Sequence, residues 1–191
     1  MKNKLIKMLG VTAAVVALTQ TLQAVPITGN IGFQGSVQLN TGSAATATQV
    51  INWLSPSVGV GASGAFSSIL PGTSVTFTAP WTFASGLSPL WSVGGFTFNL
   101  ITSSETTTVV NGKGYINVSG SGTVVSTNPS YDPTTLTWSF STQDPNSGTV
   151  GGLPTFTFSA SANSIPDGGT TIMLLGAALS GVALLKRKLV A

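Results

Sequence analysis

Two short stretches in the second half of the chain set the terms for what it can fold into. In TLTWSFST, Leu136, Trp138 and Phe140 alternate with Thr137, Ser139 and Ser141. In PTFTFSAS, Phe156, Phe158 and Ala160 alternate with Thr157 and Ser159. A period of two puts every second side chain on one side of an extended backbone, so each stretch buries one face and wets the other. A helix would scatter the same residues around its circumference. These are strands.

The pattern recurs along the chain. SVTFTAP offers Val75 and Phe77 to a core, and further strands are expected near residues 31–39 and 46–54. TTTVVNGKGYINVSGSGTVV reads as a hairpin turning at Asn111-Gly112, the dipeptide best suited to a tight two-residue turn. WSVGGFTFNL reads as one strand in which Gly94-Gly95 forms a bulge that switches faces. Turn signals at Ser55-Pro56, Pro71-Gly72, Asn128-Pro129 and Asp144-Pro145 divide the strands. No apolar stripe with helical spacing is sustained between residues 25 and 165. An all-β body over residues 25–163, an antiparallel β-sandwich or jelly roll of about seven to ten strands, is the expected architecture.

The wetted faces carry Ser and Thr, roughly a quarter of the chain, rather than charge. Charged residues are 6% of the total, against about 25% in an average globular protein. The net charge of +3 comes from the ends: Lys2, Lys4 and Lys7 at one, Lys186, Arg187 and Lys188 at the other. Between residues 25 and 165 a single cation, Lys113, faces Glu105, Asp132 and Asp144. A nucleic-acid surface needs several cations to neutralise phosphates, so nucleic acid is excluded as a partner of the body. Uncharged edge strands are also poorly guarded against pairing with another strand.

Catalytic groups are scarce. The chain has no cysteine and no histidine, which removes disulfides, thiolate metal sites and the commonest general base. A carboxylate pair would have to come from Glu105, Asp132 and Asp144, which lie in different segments. A Ser–Lys dyad would need Lys113, which sits in the Asn-Gly-Lys-Gly turn. No enzyme activity, cofactor or metal site is expected. Asp144-Pro145-Asn146-Ser147-Gly148 is rich in oxygen ligands, but it fits a β-turn better than a calcium loop, which uses several carboxylates. Trp81 and Trp91, close to Pro80 and Pro89, are candidates either for stacking on a sugar or for packing in the core.

The two ends are addresses. Residues 1–24 have a lysine-rich start, an apolar middle and a polar stretch ending in Ala24, the plan of a secretory signal peptide cleaved after Ala24. Its partners would be the Sec translocon and signal peptidase. Residues 164–191 end in a run of sixteen uncharged residues, 170–185, and then Lys186, Arg187 and Lys188. As a helix the run reaches about 24 Å, and snorkelling cations extend it toward the ~30 Å hydrocarbon core of the inner membrane. The three cations act as a membrane stop on the cytoplasmic side. The expected precursor is a loop with both ends inside and the body outside.

Ile165-Pro166-Asp167-Gly168-Gly169, followed by a Gly/Ala/Leu-rich span and a basic tail, resembles the PEP-CTERM class of bacterial sorting signals in its VPDSG form. The match holds at Pro166, Asp167 and Gly169, with Ile165 for Val and Gly168 for Ser. The resemblance covers the last 28 residues or so and leaves the body unassigned. It implies processing by an exosortase, a membrane-embedded transpeptidase that cuts near the motif and passes the body to the cell surface or the extracellular matrix. The physical reading agrees: the residue before a proline is pushed to extended geometry, so the motif is presented open, just outside the membrane. Two roles fit the body. One is a structural component of an envelope or exopolysaccharide matrix, as in a biofilm. The other is a carbohydrate-binding module or adhesin.

Overall fold

The computed structural model describes residues 24–144, 149–150, 153–165, 175–176 and 179. The described residues form twelve strands: β1 Val25–Pro26, β2 Asn30–Leu39, β3 Gln49–Val58, β4 Thr76–Phe77, β5 Trp81–Thr82, β6 Leu87–Val93, β7 Phe96–Val110, β8 Lys113–Ser126, β9 Tyr131–Asp132, β10 Thr134–Gln143, β11 Thr149–Val150 and β12 Leu153–Ser164. All but β1 and β9 belong to a sheet of order β4-β6-β7-β8-β10-β12-β2-β3-β5, with β11 paired to β12. Every pairing in it is antiparallel. The separate pair, β1 with β9, is parallel. The all-β expectation holds.

The expectation of two sheets packed face to face is replaced by one sheet joined to itself. The segment from Gly72 to Phe83 lies between β3 and β6 and bonds to each in turn. Ser74 bridges Ser57, with Val58 N–H donating to Thr73 O at 2.9 Å and Val75 N–H to Pro56 O at 3.1 Å. Thr76 and Phe77 then pair with Ser92 and Trp91, and Thr78 N–H donates to Leu90 O at 2.9 Å. Finally Trp81 and Thr82 return to Val50 and Gln49 on β3. Followed around, the order is β2, β3, this seam, β6, β7, β8, β10 and β12. About eight strands close a barrel just wide enough for side chains to fill.

Large aromatics fill it. Phe33 on β2 reaches Trp91 on β6 at 5.0 Å between ring centroids and Phe77 on the seam at 5.4 Å. Trp53 stacks on Phe77 at 4.2 Å and meets Phe158 edge-on at 5.1 Å. Phe98 and Trp91 stack at 5.4 Å. Offset and edge-to-face contacts of this kind add about 0.5–1.5 kcal/mol each beyond the area they bury. One end of the barrel is capped by Ile27, Phe66, Phe96 and Tyr131, with Phe66 and Phe96 4.8 Å apart. At the other end the 3-10 turn Ala44–Thr46 packs inside the β7–β8 hairpin.

Local readings fare unevenly. Leu136, Trp138, Phe140, Phe156, Phe158 and Ala160 are buried, and the intervening Thr137, Ser139, Thr157 and Ser159 are exposed, as the alternation requires. Asn111-Gly112 makes the hairpin turn, with φ of 52° and 75° that match the favoured two-residue type. Gly94-Gly95 is a turn as well, not a bulge: it links β6 to β7, with Val93 opposite Phe96. Ser55-Pro56 is the reverse case. β3 runs through it, and the ladder to β2 slips between Gln34 and Ser36, where Ser55 has a φ of 49°. A proline is tolerated at such a bulge because the ladder bond is already missing there.

Candidate functional site

The sorting signal leaves the body at the end of β12. Ser164, the last residue of that strand, is opposite Leu136 on β10. Its N–H donates to Gly29 O at 2.9 Å, and its hydroxyl accepts from Gly29 N–H at 3.0 Å. Ile165 follows, half exposed. The strand is therefore ordered to within two residues of Pro166. Pro166, Asp167, Gly168 and Gly169, and the basic residues Lys186, Arg187 and Lys188, lie outside the described residues. So do most of the expected transmembrane run and residues 1–23; among the described residues no helix is long and apolar enough to cross a membrane.

The amino-terminal side of the body emerges at the same end of the barrel. Ala24 is partly exposed, Val25 N–H donates to Ser130 O at 2.9 Å, and Ile27 N–H donates to the Thr134 hydroxyl at 2.8 Å. Asn30 pairs with Asn163 on β12. The segment around Gly29 is held against the loop at Ser63-Gly64 by Ser63 N–H to Asn30 O, 3.0 Å, and Ala65 N–H to Thr28 O, 2.8 Å. A Cβ on Gly29 would stand 2.1 Å from Ser63 O, and its φ is +121°. Only glycine lets the two backbones come this close.

Trp81 and Trp91 are corrected by the structure as stacking candidates. Both are 0% exposed. Trp81 packs edge-on against Phe83 and Phe140, and Trp91 lies between Phe33 and Phe98. The prolines beside them sit on the surface while the indoles turn inward: Pro80 and Trp81 are neighbours on opposite faces, and an irregularity in the β6–β7 ladder between Leu87 and Trp91 separates the facing of Pro89 from that of Trp91. Trp53 alone among the tryptophans gives its N–H to a carbonyl, Thr78 O at 3.0 Å.

The oxygens of Asp144 are also taken. Its carboxylate accepts from Ala44 N–H at 2.6 Å, Gly114 N–H at 2.6 Å and the Ser43 hydroxyl at 3.0 Å. Burial pushes the carboxyl upward, but the bonds from Gly114, Ala44 and Ser43, with the Lys113 charge, outweigh it and hold it below the usual carboxylate range. Asp144 thus ties the 3-10 turn to the start of β8. Among the described residues no three acidic side chains gather.

A polar surface lies on the outer faces of β8, β10 and β12. Register aligns Tyr115 with Gln143, and Asn117 with Ser141 and Ser159. With Thr157 they line a shallow depression of about 340 Å³. Period-two alternation marks each as outward-facing, but their alignment into rows depends on pairings that no local pattern encodes.

No curated protein and no solved structure matches the chain. The recognisable part is the carboxy-terminal segment that begins where β12 ends: residues 164–189 match the VPDSG-CTERM motif, a PEP-CTERM-like sorting signal of exported, surface-directed proteins.

Proposed function

We propose that the chain is a secreted structural component of a bacterial envelope or exopolysaccharide matrix, released from a transient inner-membrane intermediate by an exosortase. The observation that carries this reading is the common exit of the two ends. Val25 and Ile165 leave the same end of the barrel, where Asn30 pairs with Asn163. A precursor with both ends directed to one membrane needs that geometry, since a body with opposed exits would have to turn one terminus back along its length. The role is structural rather than catalytic, in keeping with a body whose charged side chains are limited to Lys113, Glu105, Asp132 and Asp144.

The test is intact mass spectrometry of the protein recovered from its host. The expected mass starts at or near Val25 and ends at or beside the Pro166–Gly169 motif. A mass that still includes residues 186–191 would replace exosortase release with a permanent anchor.

A second reading, binding of a neutral glycan, is favoured by the polar rows of β8, β10 and β12. Hydroxyls and amides there are uncharged, and Tyr115 supplies one aromatic ring. Retention of the protein on neutral polysaccharide gels, reduced at least several-fold by Tyr115→Ala, would support it; identical retention of the variant would remove it.

A further inference from the structure

The seam that closes the barrel protects β3 and β6 but leaves half of β7 uncovered. β6 pairs with β7 only as far as Leu100. The turn after β5 reaches one step further, through the Ser103 hydroxyl to the carbonyls of Phe83 and Ser85. From Ser104 to Val110 the strand is paired with β8 on one side and, among the described residues, with nothing on the other. Every side chain in that stretch is exposed, Val109 at 64% and Val110 at 51%.

The direction of its free backbone groups can be worked out. Gly114 uses its N–H on the Asp144 carboxylate and its C=O on Asp144 N–H, so both groups point away from β7. Val109, opposite Gly114, is therefore a non-hydrogen-bonded partner and turns its own N–H and C=O outward. Alternation then assigns Thr107 and Glu105 to the outer edge as well, and Thr106, Thr108 and Val110 to the ladder with β8.

We propose that this edge is the contact through which a second copy of the chain joins, by antiparallel pairing about a two-fold axis at Thr107. Three observations select that occupant and register. A two-fold centred on Thr107 places Glu105 opposite Val109 and Thr107 opposite itself, so the free edge is self-complementary over its whole length. All outward groups of Glu105, Thr107 and Val109 are then satisfied, about six hydrogen bonds in a narrow strip. The register also keeps the single charge of the segment away from its copy, whereas centring on Glu105 would set two carboxylates face to face. Shifting the axis toward Ser104 would drive the partner into the turn at Phe83–Ser85, held there by Ser103. Apart from Glu105 the strip carries none of the usual guards: no lysine, no proline, no bulge between Thr102 and Val110. On the other face Thr106 meets Thr108 and Ser104 meets Val110, neutral pairs that suit a sheet. The barrel ends are so placed that the edge lies toward the end opposite Val25 and Ile165, leaving the chain exits clear in the pair.

The chain has no cysteine, so one can be introduced at a time. Thr107→Cys, in the full chain purified in detergent and treated with a short bifunctional thiol reagent, is expected to give several-fold more covalent dimer than Ser139→Cys on the outer face of β10. Val109→Cys, whose partner in this register is Glu105, is expected to give less than Thr107→Cys. Adding Val109→Pro to Thr107→Cys removes an outward N–H and no internal ladder bond, and is expected to return crosslinking to the Ser139→Cys level with protease resistance unchanged. Val109→Lys serves the same purpose should the proline variant fail to fold. Equal crosslinking at positions 107 and 139, a stronger signal at 109 than at 107, or no effect of either edge variant would overturn the proposal. Because the readout uses unprocessed chain in detergent, its failure would leave the sorting reading untouched.

Discussion

The carboxylate of Asp144 holds the backbone N–H of Gly114 at 2.6 Å, and Gly114 O accepts from Asp144 N–H at 2.8 Å. This reciprocal pair joins the end of β10 to the start of β8, while the other carboxylate oxygen grips Ala44. Asp144→Ala leaves the two N–H groups without that partner in a partly exposed setting, and is expected to cost about 1 kcal/mol. The loss should be read from urea midpoints at neutral pH.

That contribution has a defined pH window. The native carboxyl titrates below its ordinary value, so the stabilisation is complete above the unfolded-state value of about 3.9 and is lost as pH falls through the lowered native value. The difference in midpoint between the parent and Asp144→Ala should be constant from pH 5 upward, roughly, and should shrink below about pH 4. A difference that grew on acidification would contradict the hydrogen-bond assignment.

Trp81→Ala and Trp91→Ala remove rings with no exposed surface. Each is expected to destabilise the fold by about 3–5 kcal/mol through the lost burial and the cavity left behind. Neither should change glycan retention per folded molecule, in contrast to Tyr115→Ala. Thermal unfolding followed by near-UV circular dichroism, alongside the retention assay, separates the two effects.

Gly29→Ala and Gly72→Ala test the crossing beneath the chain exits. Both residues have positive φ, +121° and +83°, but a Cβ at Gly72 meets nothing within 4 Å whereas one at Gly29 overlaps Ser63 O. Gly72→Ala should cost about 1 kcal/mol, the conformational term alone. Gly29→Ala should cost more than about 2 kcal/mol and loosen Ser164, whose hydrogen bonds end on Gly29. Amide exchange at Ser164 and Asn30 is the measurement.

A spacer test addresses the sorting junction. Only Ile165 separates the last paired residue of β12 from Pro166. Four Gly/Ser residues inserted after Ile165 add up to about 13 Å of reach. If the body limits access to the motif, the inserted chain is processed faster in a pulse–chase experiment; an unchanged rate would show that the junction is already open.

Much of this molecule is legible before any coordinate is known, but unevenly. Thr137, Ser139 and their neighbours declare strand and facing in β10 and β12, because burial of one face imposes a local period. The tail declares itself through the order of motif, span and Lys186-Arg187-Lys188. Closure is another matter. It depends on the seam, where Ser74 bonds to β3 and Thr76 to β6, a switch made within three residues and carrying no period. Trp81 and Trp91 show the same limit: a neighbouring proline leaves surface and core both open, and the choice is made by the facing of Pro80-Trp81 and by the ladder irregularity between Leu87 and Trp91. Ser55-Pro56 and Gly94-Gly95 exchanged roles because a bulge and a turn draw on the same residues.

The place of β12 in the order also bears on timing. It is the last strand made among the described residues, and it sits between β10 and β2, far in sequence from β2. Until residue 164 is available, the barrel has a gap one strand wide, with Phe33, Trp138 and Phe140 on its margins. An exported chain emerging amino-terminus first therefore completes its core only with the residue that precedes the sorting motif. Closure of the barrel and completion of the segment next to the motif therefore depend on the same residues, those of β12.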